Sequence, residues 1–235
     1  LYAEKYRPQL HFSAPQNWLN DPNGLVWNDG VFHLFYQHNP TGNDWGNMHW
    51  GHATSKNLVD WEHRPLALLA EPWGLGYMFS GCAVVDHDNT SGLGQGGKLP
   101  MVALYTSCDV AGIQEQSVAY SVDNGETWSQ YAANPVIPNP GLRDFRDPKV
   151  IWHEATGEWV LTLAADDHVE LYRSSNLLEW TKVCRFAKPY GSHQGVWECP
   201  DLFPMTGPDG EMKWVLIVSV SAEHSKRDES IQYFV

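Results

Sequence analysis

The chain has 235 residues, of which 43% are hydrophobic and 13% aromatic, so it is long and apolar enough to bury a sizeable core. Its 15 basic and 28 acidic residues give a formal net charge of -13, which would repel nucleic acid and anionic membrane surfaces. No apolar run approaches the length of a transmembrane helix. We therefore expect a folded domain that binds neither nucleic acid nor membrane.

Short β-type runs alternate with turn signals along the chain, and helical periodicity is almost absent. The first two runs, residues 25–27 and 31–36, flank an Asp29-Gly30 pair, which predicts a β-hairpin. A solvated loop is predicted at residues 221–230. Further strands are predicted at residues 81–85, 101–106, 117–122, 150–153, 159–164, 169–172 and 214–220. The fold class that this pattern indicates is all-β.

A degenerate repeat lies between these runs. Residues 55–61 (SKNLVDW) recur as residues 174–180 (SSNLLEW), and residues 121–128 (SVDNGETW) are a looser copy with one extra residue. Each copy follows a β run and ends in tryptophan, which indicates that it lies near the end of a repeated structural unit. Four short motifs open the units: NDP at 20–22, FSG at 79–81, RDP at 146–148 and ECP at 198–200. Repeated small antiparallel sheets of this kind predict a β-propeller.

Three carboxylates stand in or beside these opening motifs, namely Asp21, Asp147 and Glu198, and each has a proline close behind it. The first strand of each propeller blade lines the central channel, so equivalent positions of successive blades meet there. Retaining sugar cleavage needs one carboxylate as nucleophile and one carboxylic acid as proton donor. Each motif alone is more often a turn or a solvated acid, but the shared place in the repeat favours one common site.

The cysteines and histidines do not predict a metal site. Four cysteines are too few for a disulfide scaffold, and none forms the close pair typical of zinc. The eleven histidines also lack tight ligand spacing. We expect no metal, no cofactor, and mainly buried free thiols at Cys82, Cys108, Cys184 and Cys199.

Five ordered motifs resemble the signature blocks of the β-fructosidases, glycoside hydrolase family 32, which includes invertases, exo-inulinases, levanases and related fructosyltransferases. They are WLNDPNG at 18–24, WGHA at 50–53, FSG at 79–81, FRDP at 145–148 and WECP at 197–200. Residues 134–140 and 195–198 are most similar to the corresponding segments of microbial levanases and exo-inulinases.

The resemblance implies a role for each matching residue. Asp21 matches the nucleophile, Glu198 the general acid/base and Asp147 the transition-state stabiliser. Arg146 matches a fructose contact and is expected to keep Asp147 ionised. The remaining substrate-binding positions are Asn20, Gln37, Trp45 and Ser80. We assign Trp50 to packing, by contrast with Trp45.

The resemblance also implies a five-bladed propeller followed by a β-sandwich. Residues 1–235 would then be a truncated catalytic propeller domain with blades one to three and most of the fourth, without the fifth blade and the sandwich. The implied activity is retaining, exo-acting hydrolysis of terminal fructosyl residues of sucrose, inulin or levan. A fructosyltransferase and a non-catalytic fructan-binding propeller stay open as alternatives. The expected location is secreted or cell-surface, with a cytoplasmic one still open, and the oligomeric state is unknown.

Overall fold

The computed structural model describes residues 3–221 and 230–235, and this part of the chain contains fifteen β-strands and no helix. It accordingly offers no helix that could cross a membrane. The strands, in chain order, are β1 (Trp18–Asn28), β2 (Val31–Asn39), β3 (His49–Ser55), β4 (Trp61–Leu68), β5 (Tyr77–Val85), β6 (Met101–Cys108), β7 (Gln114–Ser121), β8 (Ser129–Gln130), β9 (Phe145–His153), β10 (Glu158–Ala165), β11 (His168–Ser174), β12 (Thr181–Phe186), β13 (Trp197–Thr206), β14 (Met212–Val220) and β15 (Ser230–Phe234).

These strands form four antiparallel sheets, each with its strands side by side in chain order. Blade 1 contains β1 to β4, blade 2 β5 to β8, blade 3 β9 to β12, and blade 4 β13 to β15. The first strands contact one another in the order β1, β5, β9 and β13, as in a propeller. The all-β propeller prediction is confirmed.

All of the runs predicted as strands lie wholly or almost wholly in strands, but six strands, β3, β4, β8, β12, β13 and β15, were not among them. The sequence of β12 shows why, because most of its side chains are exposed and it forms the outer edge of its sheet. Such a strand carries little apolar alternation to detect. The predicted loop at 221–230 falls mostly on residues 222–229, outside the described residues.

The predicted hairpin and the predicted repeat are both confirmed. Asn28 pairs with Val31 across the Asp29-Gly30 loop, where both residues have the positive φ that a tight hairpin turn needs. The repeat forms the turn between the third and fourth strands of a blade. In blade 1 the Ser55 hydroxyl oxygen accepts a hydrogen bond from the Leu58 N–H at 2.9 Å.

The turn of blade 3 is built in the same way. The Ser174 hydroxyl oxygen accepts from the Asn176 N–H at 3.1 Å, and Leu177 has φ 66°, matching φ 63° at Leu58 of blade 1. In the looser copy of blade 2, the Ser121 hydroxyl oxygen accepts from the Gly125 N–H at 2.9 Å. A serine hydroxyl that accepts from a backbone N–H two to four residues later therefore recurs at the end of the third strand in each of these blades.

The core lies between neighbouring blades. Phe35 and Trp50 of blade 1 pack on Tyr105 of blade 2, and all three are fully buried. Trp50 is thus a packing residue, as predicted, and its indole N–H donates to the carbonyl oxygen of Phe79 at 2.9 Å. Gly81 lets β5 lie close to β6, because a Cβ there would stand 2.1 Å from the carbonyl oxygen of Leu104. These contacts pack blade 1 against blade 2 beside β5.

Candidate active site

Each first strand bulges at the residues that the sequence singled out. In every blade two residues of the first strand oppose one residue of the second: Asn20 and Asp21 oppose Gln37, Phe79 and Ser80 oppose Thr106, Asp147 and Pro148 oppose Leu163, and Cys199 and Pro200 oppose Val218. A β-bulge bends the strand and redirects side chains, and bulges are frequent beside active sites. These four bulges lie at one end of the channel.

The three acids are not equivalent residue for residue. Asp21 is the second residue of its bulge, Asp147 is the first, and Glu198 directly precedes the bulge. The residue of blade 4 that matches Asp147 is Cys199, and these two have φ 64° and φ 48°. Non-glycine residues with positive φ are strained and cluster at functional sites. The prediction of equivalent positions is therefore wrong, by one residue between neighbouring acids and by two between Asp21 and Glu198, although the convergence of the segments is confirmed.

A chain of short contacts joins the acids from three blades. Asp21 Oδ2 accepts a hydrogen bond from the Ser80 hydroxyl at 2.7 Å. The Cys199 thiol lies 3.8 Å from Asp21 Oδ2 and 3.6 Å from Asp147 Oδ2. The Cys199 N–H also donates to Asp147 Oδ2 at 2.9 Å. Asp21 and Asp147, which are far apart in sequence, therefore face one space.

Arg146 connects this pair to Glu198. Its guanidinium donates to Glu198 Oε1 at 2.8 Å and lies 4.0 Å from Asp147 Oδ2. On its other side it pairs with Asp144 Oδ1 at 2.5 Å, and Gln114 Oε1 lies 3.4 Å away. Acidic neighbours on both sides raise the pKa of Arg146 further, although burial works against this. A permanently charged, planar group therefore orients Glu198.

Asp147 is buried, with 6% of its surface exposed, and its backbone N–H donates to the Thr106 hydroxyl oxygen at 3.0 Å. Burial raises its pKa to about 6, and the nearby Asp21 and Glu198 act in the same direction. Arg146 and the Cys199 N–H lower the pKa but do not cancel the effect of burial. Arg146 thus favours the ionised form of Asp147, as predicted, but burial has the larger effect on the pKa.

We expect Asp147→Asn to stabilise the full-length protein by up to about 3 kcal/mol near pH 7, the linkage value for a pKa raised from 3.8 to about 6. The native wild type binds a proton more readily than its unfolded chain, so its stability falls as pH rises from about 4 to about 6. The asparagine side chain does not ionise, so the variant should not lose stability over this pH range. Its amide oxygen can still accept a hydrogen bond from the Cys199 N–H.

Urea unfolding near pH 4 and near pH 7 measures this difference. The stabilisation should be present near neutral pH and shrink toward pH 4. Asp88→Asn, at an exposed turn, is the matched control. A difference between Asp147→Asn and wild type that is the same at both pH values would show that the charge of Asp147 does not cause it.

The predicted substrate-binding residues lie around the acids. Ser80 and Arg146 belong to the contact network itself. Gln37 opposes the bulge of Asp21, and its amide donates to the carbonyl oxygen of Met78 at 2.9 Å. Asn20 Oδ1 accepts from the indole N–H of Trp18 at 2.7 Å. Trp45 is 59% exposed and packs edge-on against Phe79, with ring centroids 5.8 Å apart.

Sequence reasoning missed two residues of this site. Asp144, which pairs with Arg146, lies just outside the RDP motif and had no signal of its own. The sequence predicts Cys199 only as a buried free thiol, whereas it contacts Asp21 and Asp147. All four cysteines are free, but only Cys82 and Cys108 are buried, so the expectation of buried thiols is wrong for Cys184 and Cys199. The residue as a whole is exposed, but its sulfur lies against Asp21 and Asp147, and desolvation of the sulfur together with these carboxylates raises the pKa of the Cys199 thiol, which keeps it a donor.

A metal site was not predicted from the sequence. Across residues 3–221 and 230–235, no group of three or more histidine, cysteine, aspartate and glutamate residues is placed to hold a metal ion.

The sequence matches the N-terminal domain of glycosyl hydrolases family 32 over residues 11–235. The chain belongs to this family. This family 32 chain is 55% identical over 236 residues to a levanase of Bacillus subtilis (strain 168), a match that covers 100% of this chain and 34% of the levanase. It is 48% identical over 240 residues to the extracellular exo-inulinase InuE of Aspergillus niger, covering 92% of this chain and 44% of that protein. The predicted family and its similarity to levanases and exo-inulinases are confirmed.

Solved structures show the same relationship. The crystal structure of exo-inulinase from Aspergillus awamori superimposes with a TM-score of 0.91 at 42% sequence identity, covering 100% of this chain and 50% of that one. A β-fructofuranosidase from Schwanniomyces occidentalis, complexed with fructosyl-erythritol, gives a TM-score of 0.89 at 34% identity and covers 97% of this chain and 46% of that one. The family 32 chain therefore spans between a third and a half of the length of these relatives.

Proposed function

We propose that the protein is a retaining, exo-acting β-fructosidase that hydrolyses terminal β-D-fructofuranosyl residues of sucrose, inulin or levan. The observation that carries the proposal is the contact network that joins Asp21, Asp147 and Glu198 through Cys199 and Arg146. Names of the relatives, levanase and exo-inulinase, support the substrate class. A site that only binds sugar has no need of this set of acids.

In the proposed mechanism Asp21, as a carboxylate, attacks the anomeric carbon of the terminal fructosyl unit. Glu198, as a carboxylic acid, gives its proton to the leaving oxygen, and the bond between that oxygen and the anomeric carbon breaks. A water molecule, deprotonated by the ionised Glu198, then attacks the fructosyl-enzyme and releases fructose with retained configuration. Retention requires the two carboxyl groups to lie roughly 5 to 5.5 Å apart with the sugar between them.

The other residues bind and stabilise. We assign to Asp147 the hydrogen bonds to ring hydroxyls that strengthen as the sugar flattens toward the transition state. Asn20, Gln37, Trp45, Ser80 and Arg146 hold the terminal fructosyl unit. Ser80 also orients the nucleophile, because its hydroxyl donates a hydrogen bond to Asp21 Oδ2.

We also propose which further domains complete the protein and where the protein is located. A fifth blade and a C-terminal β-sandwich would complete a five-bladed propeller, as the family resemblance implies and as the greater length of the relatives allows. The extracellular exo-inulinase among the relatives supports secretion of this protein too. The partner is then a sugar or fructan outside the cell, without nucleic acid or membrane.

The test is to incubate the full-length protein with sucrose, inulin and levan and to resolve the products by chromatography. Free fructose of retained configuration as the main product supports the proposal. Elongated fructans as the main product would show a fructosyltransferase, which uses the same covalent intermediate. Binding of fructans without any product would show a non-catalytic propeller and would refute the proposed activity.

A further inference from the structure

Two adjoining cavities lie at the acid end of blades 3 and 4. The first has a volume of about 410 Å³, and its lining includes Asp144, Asp167, His193 and Gln194. The second has a volume of about 340 Å³, and its lining includes Asp167, His193, Tyr190 and Lys188. They share Asp167 and His193 on their walls and are together called the blade 3–4 groove. Its size is in the range of sites for sugars and other small ligands.

The side chain of Arg146 separates the groove from Glu198, the proposed proton donor. Asp144 lines the groove and pairs with Arg146 at 2.5 Å, and Arg146 in turn donates to Glu198 at 2.8 Å. Asp167, on its wall, lies two residues after Ala165, the last residue of β10, which pairs with Phe145 at the start of β9. The groove and the acids therefore open at the same end of the propeller.

The proposed reaction determines which part of the substrate extends from Glu198 toward the groove. The proton donor must contact the leaving oxygen, so everything attached to that oxygen extends from the side of Glu198. In sucrose this is a single sugar ring. In inulin or levan it is a chain of fructosyl units, which needs a surface that continues outward from the acid.

The lining of the groove suits a polyol chain. Tyr190 is 58% exposed and stacks on Phe186, with ring centroids 5.3 Å apart and planes 16° apart, so one ring face is covered and the other is free for a sugar. His193 lies 2.9 Å from the carbonyl oxygen of Tyr190 and 2.7 Å from that of Asp167, which holds this segment in place. Gln194 and Lys188 are exposed and can bond hydroxyl groups.

We propose that the blade 3–4 groove binds the fructosyl units beyond the scissile bond, so that the protein processes polymeric fructan in preference to sucrose. This inference rests on the proposed function. A third cavity of about 420 Å³, lined in part by Trp27 and Trp152, lies at the opposite end of the first strands and provides a comparison site.

The test measures kcat and KM of the full-length protein for sucrose, inulin and levan. Tyr190→Ala should lower kcat/KM for both polymers roughly three- to tenfold, mainly through a higher KM, as expected for the loss of one ring contact. Its kcat/KM for sucrose should stay within about twofold of wild type. Tyr190→Phe should keep polymer activity, and Gln194→Ala, which leaves the ring stack intact, should lower it less than Tyr190→Ala. Trp27→Ala, an exposed tryptophan at the far end of β1, is the matched control.

Three outcomes would overturn the inference: equal losses on sucrose and polymers, unchanged polymer kinetics in both Tyr190→Ala and Gln194→Ala, or a polymer defect in Trp27→Ala alone. If wild type turns over none of the three substrates, the proposed function fails instead. Calorimetric titration with fructan oligosaccharides then tests the groove by itself, because Tyr190→Ala should weaken binding and Trp27→Ala should not. Equal binding by both variants would overturn the inference.

Discussion

Replacing Asp21 by asparagine is expected to lower kcat for sucrose by roughly 10⁴-fold or more, because the amide cannot form the covalent fructosyl intermediate. The change keeps the shape of the side chain, and an amide oxygen can still accept from the Ser80 hydroxyl, 2.7 Å from Asp21 Oδ2 in the wild type. The fold should therefore survive. Initial rates of fructose release, together with thermal unfolding, measure both effects.

The control for Asp21→Asn is Asp29→Asn. Asp29 is exposed in the turn at the far end of the same strand, where its φ of 45° suits asparagine as well. This variant should have wild-type kinetics. If Asp21→Asn kept more than about one hundredth of the wild-type kcat, in a preparation free of contaminating activity, Asp21 would not be the nucleophile.

Glu198→Ala is expected to lower kcat/KM for sucrose by about 10²- to 10⁴-fold, the usual contribution of a general acid/base. An aryl fructoside, whose leaving group needs no proton, should be affected less in the first step. Added azide should then restore turnover and yield fructosyl azide of retained configuration, because a small anion can replace the water that Glu198 would activate. Rates with both substrates, with and without azide, measure these effects.

Two variants separate the acid from its structural contacts. Glu198→Gln keeps an acceptor for the Arg146 guanidinium, 2.8 Å away in the wild type, and should be equally inactive on sucrose. Glu154→Ala, in the exposed turn between β9 and β10, is the control for a lost surface carboxylate. Full turnover of sucrose by Glu198→Gln would show that Glu198 serves only as a hydrogen-bond partner of Arg146. Another group would then have to supply the proton.

The parts of this protein that can be read from sequence are those formed by neighbouring residues. The hairpin at Asp29-Gly30 depends on two residues that adopt positive φ. The closing turns depend on a serine hydroxyl that accepts from a backbone N–H two to four residues later. Because such interactions are local, three copies of one turn and four opening motifs are enough to predict repeated blades, and the blades predict that Asp21, Asp147 and Glu198 approach one another.

The fine geometry of the site depends on contacts between distant parts of the chain. Cys199 approaches Asp21 across 178 positions of sequence, and Arg146 reaches Glu198 across 52. The bulges displace the three acids relative to one another, and the burial of Asp147 outweighs the charge of the adjacent Arg146. Bulge register and desolvation depend on the atoms that neighbouring blades bring to each side chain. No window of sequence contains those atoms, so they become known only when the blades are packed together.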